Sequence, residues 1–453
     1  MATTITTQNP FNEKPLNTYS LFTEKQLETV LQASQNTFLT WRETKIKQRC
    51  KLLKKLKALL LERKNDYALL MTQEMGKPIS QGVAEIEKCA WLCDFYRKNG
   101  EDFLADDMIK TEAHESFISY DPLGVILSIM PWNYPFWQVL RFAIPTITAG
   151  NTAILKHASN VTGCALEIEK LFKDVGFPEG CFTTILANHK QVETLINDSR
   201  IKAVSLTGSE TAGRKIAEIA GKNLKKCVLE LGGNNACIVL NDADLDTHIN
   251  TVVTARMQNN GQSCIAAKRF IVEEGIYDTF VQKFQDKIVQ LNTGNPEDNN
   301  TEISVLARTD LAEELEHQVK ESIKQGAIVS YGNKRMNAYY QPTIVTNVTP
   351  EMPVFKEETF GPVAAIIKVK NKEEAYKMAS LSKFGLGCMV FTKDTEDALA
   401  RISQIEDGAF FINEMVKSDP RLPFGGTKAS GFGRELSKEG ILEFVNKKNV
   451  YLK

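Results

Sequence analysis

The chain has no pair of cysteines at C-x-x-C spacing; its nine stand apart at positions 50, 89, 93, 164, 181, 227, 237, 264 and 388. Scattered thiols without a framework argue against a disulfide-stapled secreted fold and for a reducing, cytoplasmic setting. Histidine is scarce. The five, at 114, 157, 189, 248 and 317, fall in no metal-ligand spacing, so no metal site is expected. No stretch offers the roughly 18 apolar residues of a membrane span, and the opening residues lack the basic start and apolar run of a secretory signal. Neither sign of charge dominates: 55 Lys and Arg against 56 Asp and Glu leave a formal net charge of -1. That balance argues against a generic role on nucleic acid or a membrane surface and leaves small molecules, or copies of the same chain, as partners. Also missing is a G-x-G-x-x-G after an early strand. Gly385-Leu386-Gly387 and Gly431-Phe432-Gly433 have no strand-turn-helix context around them.

What is present fits a globular enzyme. At 453 residues, 43% hydrophobic and 25% charged, the chain exceeds what one core normally serves, so two or three domains are expected. From about Glu24 to Gly100 apolar residues recur at helical spacing, as in Leu27, Val30 and Leu31, then Leu52, Leu53, Leu56, Leu59 and Leu60. Lysines 45, 47, 51, 54, 55 and 57 crowd this region and read as the wet face of amphipathic helices rather than a nucleic-acid groove. Glu115 to Tyr120 reads as a short strand, and Gly124 to Met130 as a strand buried on both faces. Strands and helices then alternate through Leu231, which implies crossover units on a parallel sheet. A second alternating series begins at Ala236 and runs through a helix ending at Met257, a strand at Arg269 to Val272, two helices and a strand near Ala327 to Tyr331. Two α/β domains meeting near Gly232-Gly233 are the economical reading.

Four stretches carry candidate chemistry. Gly261-Gln262-Ser263-Cys264 puts a thiol on a small turn between the Asp244 to Met257 helix and the Arg269 to Val272 strand. An isolated cysteine is more often a small buried hydrophobe than a nucleophile. The other three stretches are Pro131-Trp132-Asn133-Tyr134-Pro135, Leu229-Glu230-Leu231-Gly232-Gly233-Asn234 and Glu357-Glu358-Thr359-Phe360-Gly361-Pro362. Taken alone, Asn133 reads as a turn residue and Glu230 as a surface carboxylate at a strand end. Thr207-Gly208-Ser209-Glu210-Thr211-Ala212-Gly213 follows a strand and opens a helix. Its free amides and glycine suit a phosphate, and Ser209 or Thr211 serves equally as an N-cap with no ligand.

In that order along the chain, Trp132-Asn133, Glu230-Leu231-Gly232-Gly233, Gly261 to Cys264 and Glu358 to Pro362 resemble the aldehyde dehydrogenase superfamily. The resemblance runs from about residue 20 to the end. It implies a Rossmann-type dinucleotide domain (1-103 and 123-232), an α/β catalytic domain (233-430) and a small β oligomerisation arm (104-122 and 431-453). It also implies a homodimer or homotetramer, with edge strands covered by the partner. Chemically, a carbonyl carbon releases hydride only after a nucleophile has made it tetrahedral; Cys264 supplies that attack. Asn133 and the Cys264 backbone N–H are expected to hold the oxyanion, and Glu230 to be the general base for thioester hydrolysis, its pKa raised by an apolar setting.

The cofactor contacts implied by the resemblance are Lys156 at the adenosine ribose, Gly208 and Ser209 at the pyrophosphate, Trp132 and Leu231 along the cofactor, and Glu358 with Phe360 at the nicotinamide end. Ser159 stands where many NAD-preferring members carry a glutamate, so NADP is expected to be accepted alongside NAD. His157 replaces the usual proline. Arg141 stands where members resembling succinate-semialdehyde dehydrogenases bind the substrate carboxylate, while their companion arginine six residues before the nucleophile is Gln258 here. Ser418 and Arg421 are candidates to complete the clamp, and a helix-surface role for Arg141 is the competing reading. Two functional alternatives stand beside succinate semialdehyde: oxidation of other short or medium aldehydes, and a non-redox cysteine hydrolase or acyltransferase, which would need a histidine base.

Overall fold

The computed structural model describes residues 3–453 and places the chemistry between two mainly parallel sheets. The six-stranded sheet runs in the order Gly431–Phe432, Lys226–Glu230, Ile201–Thr207, Val125–Met130, Thr152–His157, Phe182–Thr184. All of its pairings are parallel except the one that Gly431–Phe432 makes with Lys226–Glu230. The chain starts this sheet in the middle, at Val125–Met130, builds outward to one side, then returns to build the other. The strand order therefore reverses between Val125–Met130 and Ile201–Thr207, and a crevice opens beyond the carboxyl ends of those two strands. Pro131-Trp132-Asn133 and Gly208-Ser209 leave the sheet there.

The seven-stranded sheet runs Ile328–Tyr331, Thr343–Thr346, Val363–Val369, Ala267–Glu273, Asn235–Val239, Cys388–Phe391, Phe410–Ile412. Only its first pair is antiparallel. Its central strands are buried along their length because helices cover both faces, so that even Lys268 and Arg269 on Ala267–Glu273 are buried. A third sheet pairs Val445–Leu452 antiparallel with Glu115–Pro122, in register from Val445 opposite Pro122 to Leu452 opposite Glu115. The tail and the expected strand are thus neighbours. The chain opens with a hairpin of Thr4–Gln8 and Pro15–Ser20, which the sequence reading passes over.

Four helices, Glu24–Trp41, Ile46–Glu62, Lys64–Met75 and Ile79–Phe103, fill the stretch read as helical. Thr23 starts the first with a reciprocal capping box to Gln26, and left-handed Gly76 stops the third. Leu53, Leu56 and Leu60 are buried, whereas lysines 45, 47, 51, 54 and 55 are exposed and Lys57 is half-buried. The lysines are a solvated face. Among the described residues no helix is long and apolar enough to cross a membrane, and no group of three or more His, Cys, Asp or Glu side chains could hold a metal ion.

Candidate active site

Cys264 is the only one of the nine cysteines that is not buried; all nine are free thiols. The turn that carries it is an unusual backbone: Asn259 (φ 57°), Asn260 (φ 55°) and Gly261 (φ 74°) are consecutively left-handed. Asparagine tolerates that region, and here its side chains also stitch the turn in place. Asn260 Nδ2 donates to Gly76 O and Val305 O (3.2 and 2.8 Å), while Asn259 Nδ2 donates to Asn133 O and Gln262 O (2.8 and 3.0 Å). Position 261 admits only glycine. A Cβ there would lie 2.4 Å from the backbone of Gly361, so the cysteine turn is pressed against the Glu358 to Pro362 stretch. Buried Lys268 completes the support, donating to Ser263 O and Cys264 O (both 2.8 Å) and pairing with Glu358 Oε1 at 3.1 Å.

Asn133 is buried, and its amide has a fixed sense. Oδ1 accepts from Gln138 Nε2 (3.0 Å), and Nδ2 gives one hydrogen to Gln262 O (3.0 Å), which leaves its second N–H uncommitted. The turn around it is anchored by Glu85, whose Oε1 accepts from Phe136 N and Trp137 N (both 2.9 Å) at the start of the Trp137–Thr148 helix. A carboxylate against a helix N-terminus is favourable by up to about 2 kcal/mol when partly buried. Glu85 is itself neutralised by the fully buried Lys77, whose ammonium also lies 4.0 Å from the Tyr134 ring. On the other side His157 Nε2 meets Pro135 O at 3.0 Å. Its Nδ1 meets Met130 O at 3.1 Å, and burial pulls the imidazole down to about 4, so the ring is neutral with each nitrogen facing a main-chain oxygen. His157 thereby pins the Trp132-Asn133 turn.

Glu230 is buried at the end of its strand, and neither carboxylate oxygen has a hydrogen-bond partner among the described residues. Burial first, then the charge of Glu435, hold its carboxyl well above the usual range, against the pull of Arg141 and Arg434. The surface-carboxylate reading is excluded by this burial. Burial likewise pushes the Cys264 thiol up to about 11, with Lys268 and Arg141 drawing it down and Glu358 and Glu230 pushing it further up.

Two cavities meet at Cys264. One, of about 260 Å³, is walled by Trp132, Asn133, Thr207, Gly208, Ser209, Leu231, Glu358 and Phe360. Trp132 and Phe360 meet edge to face at 5.7 Å between centroids. Thr207 Oγ1 is buried there without a partner, and a Cβ at Gly208 would touch nothing nearer than 3.8 Å, so a polar ligand can approach the backbone closely. Ser209 does cap the Glu210–Lys222 helix, accepting from Ala212 N at 3.3 Å, so capping and a ligand-ready helix start coexist. Lys156 and exposed Ser159 line a small neighbouring hollow beyond the Thr152–His157 strand. The donors and the open glycine fit a dinucleotide. A larger cleft, about 750 Å³, reaches this region only through Leu311, Glu358 and Phe360, and the reactive groups lie elsewhere.

The second cavity, about 470 Å³, is walled by Lys88, Trp137, Arg141, Ser418, Arg421 and Phe424, with Cys264 at its floor. Arg141 is buried rather than on a helix surface; its Nε is ion-paired with Glu435, and its Nη2 has no hydrogen-bond partner among the described residues. Ser418 Oγ accepts from Trp137 Nε1 (3.1 Å) and from Lys88 Nζ (2.8 Å). Arg421 stands at the mouth, mostly exposed and bound to Asp419. Gln258, in the companion arginine's place, also reaches this cavity. Gln138, Lys268 and Glu435 were missed by motif reading. Lys268 and Glu435 pair with Glu358 and Arg141, far away in sequence, and Gln138 holds Asn133 from five residues on; only the folded chain shows these pairings.

This arrangement is that of a cysteine-dependent dehydrogenase of aldehydes. Residues 1–450 match the aldehyde dehydrogenase family, and the chain belongs to it. It is 47% identical to a probable NADP(+) succinate-semialdehyde dehydrogenase of Synechocystis sp., covering 99% of both chains, and 46% identical to the NAD(P)+ succinate semialdehyde dehydrogenase Sad of Escherichia coli, covering 98% of this chain and 96% of that one. Among solved structures, succinic semialdehyde dehydrogenase from Streptococcus pyogenes in complex with NADP+ superposes with a TM-score of 0.97 at 36% identity, covering 99% of each chain.

Proposed function

We propose that this enzyme oxidises succinate semialdehyde to succinate with NADP or NAD. The observation that carries the reading is the position of Cys264, which lines both the cavity walled by Trp132, Gly208 and Ser209 and the cavity holding Lys88, Arg141 and Ser418. An aldehyde with a distal carboxylate fits the second cavity: its carbonyl at the thiol, its charge among the cations. When bound, NAD(P) supplies the acceptor for the hydride that the tetrahedral carbon expels. The remaining steps belong to side chains. Cys264 Sγ bonds to the carbonyl carbon as its proton passes to solvent, and the carbonyl electron pair moves onto oxygen. That oxygen is met by the uncommitted Asn133 N–H and by the Cys264 backbone N–H, donors already in place before charge develops. Once hydride has left, the carbon is a thioester. Water adds to it as Glu230 takes one of its protons, and the carbon–sulfur bond breaks with its electron pair on sulfur, which regains that proton from Glu230 as the acid is released.

Arg141 provides one test. Arg141→Ala is expected to lower the ratio of kcat/KM for succinate semialdehyde to that for butanal by about 10- to 100-fold, the worth of a charge-assisted hydrogen bond. If the two substrates lose equally, the oxidation of short or medium uncharged aldehydes becomes the better reading. Ser159 provides another. A carboxylate at that position accepts from a ribose hydroxyl and repels a 2'-phosphate, so Ser159→Glu is expected to cut kcat/KM with NADP by at least about tenfold while sparing NAD. Initial rates at varied cofactor check this, and an unchanged NADP/NAD ratio removes Ser159 from the cofactor site. We assign residues 1-103 and 123-232 to cofactor binding, 233-430 to catalysis, and 104-122 with 431-453 to assembly of a homodimer or homotetramer. The exposed edge of Val445–Leu452 supports that assignment. The nine free thiols suit a cytoplasmic setting.

A further inference from the structure

Helix Ile79–Phe103 sends Gln81, Ala84, Glu85, Lys88 and Trp91 to the wall of the substrate cavity, at the three- and four-residue spacing of a single helix face. Four of these have evident work or a passive place: Gln81 Oε1 accepts from Asn259 N at 2.7 Å, Glu85 anchors the Trp137 helix, Ala84 is small and Trp91 lies under Arg421. Lys88 differs. It is half-buried with no carboxylate in ion-pairing range among the described residues, while every other charge around the cavity is matched: Glu85 by Lys77, Arg141 by Glu435, Lys417 by Glu414, Arg421 by Asp419. Its ammonium lies 4.3 Å from the Trp137 ring and donates 2.8 Å to Ser418 Oγ. Burial, reinforced by the charge of Arg141, draws it down to about 8, the state of a cation lacking its anion.

Ser418 adds a second observation. Its oxygen accepts from both Lys88 and Trp137, which occupies its two lone pairs and leaves its hydroxyl hydrogen to donate elsewhere. Lys88, the Ser418 hydroxyl and the free Nη2 of Arg141 thus form three donors around one cavity with one uncompensated positive charge. We propose that Lys88 is the second cationic arm of the substrate clamp, binding the distal carboxylate together with Ser418 and Arg141 in place of the arginine that Gln258 replaces.

This rests on the succinate semialdehyde reading, and one set of measurements separates the two. The quantity is the preference for succinate semialdehyde over butanal, as the ratio of kcat/KM values, in wild type, Lys88→Met, Lys88→Arg and Arg141→Ala. Lys88→Met is expected to lower the preference about 10- to 100-fold, mostly through KM for the charged aldehyde, and Lys88→Arg to restore most of it. Should methionine prevent folding, judged by thermal melting, Lys88→Gln takes its place. A preference that survives loss of the ammonium within threefold, while Arg141→Ala abolishes it, overturns the role of Lys88 and leaves the substrate reading standing. No preference in wild type overturns both.

Discussion

Cys264→Ser is expected to form no reduced nicotinamide above background with any aldehyde, a loss of at least about 10³-fold in kcat, because the hydroxyl is a far weaker nucleophile in the same place. The fold is expected to survive. The turn is held by Asn259, Asn260, Gly261 and the Lys268 bonds to main-chain oxygens, none of which uses the sulfur. Absorbance at the reduced-cofactor band, with NAD and with NADP, reads the outcome directly. Thiol-independent turnover, or aldehyde-independent ester hydrolysis as the sole activity of the wild type, would favour the hydrolase alternative. The geometry speaks against that alternative because the one buried histidine near the site, His157, has both ring nitrogens engaged with the backbone of its own neighbourhood.

The second large effect falls on Glu230. Glu230→Gln keeps the shape of the side chain and removes the base, so acylation is expected to proceed and hydrolysis to stall. Rapid mixing should show one equivalent of reduced cofactor per active site, followed by a steady rate lower by about 10² to 10⁴. The pH dependence has a definite sign. Glu230 acts as the carboxylate, and burial together with Glu435 raises the pH at which that form appears. Wild-type kcat, when limited by hydrolysis, is therefore lost as pH falls through this raised value, well above the range of an ordinary glutamate. In Glu230→Gln that acid limb should vanish. If the variant shows no burst and an unaltered acid limb, another group is the base.

How much could be read before folding differs from one element to the next. The parallel-sheet strands were legible because burial on both faces demands unbroken apolar runs such as Val125–Met130. The helices were legible because one face of each must be dry. The opening hairpin was not, since Thr4–Gln8 and Pro15–Ser20 are largely exposed and carry no apolar pattern. The pairing of Val445–Leu452 with Glu115–Pro122 was expected from resemblance rather than from composition.

At the site, the chain's own order of residues determined which chemical groups are present: a thiol on a glycine turn, an amide between two prolines, a carboxylate before paired glycines, and a glutamate and phenylalanine before Gly361. Those choices are local, because each motif must shape its own backbone. The tertiary structure alone decided which charges are matched and which are left over. Lys88 looks like one more lysine on an amphipathic helix, and Arg141 like one on a helix surface, until the sheets bring residues more than 250 positions apart together. Only then do Glu435 and Ser418 reach them. Electrostatic balance depends on distance through space in a medium of low polarisability, and distance along the chain does not encode it.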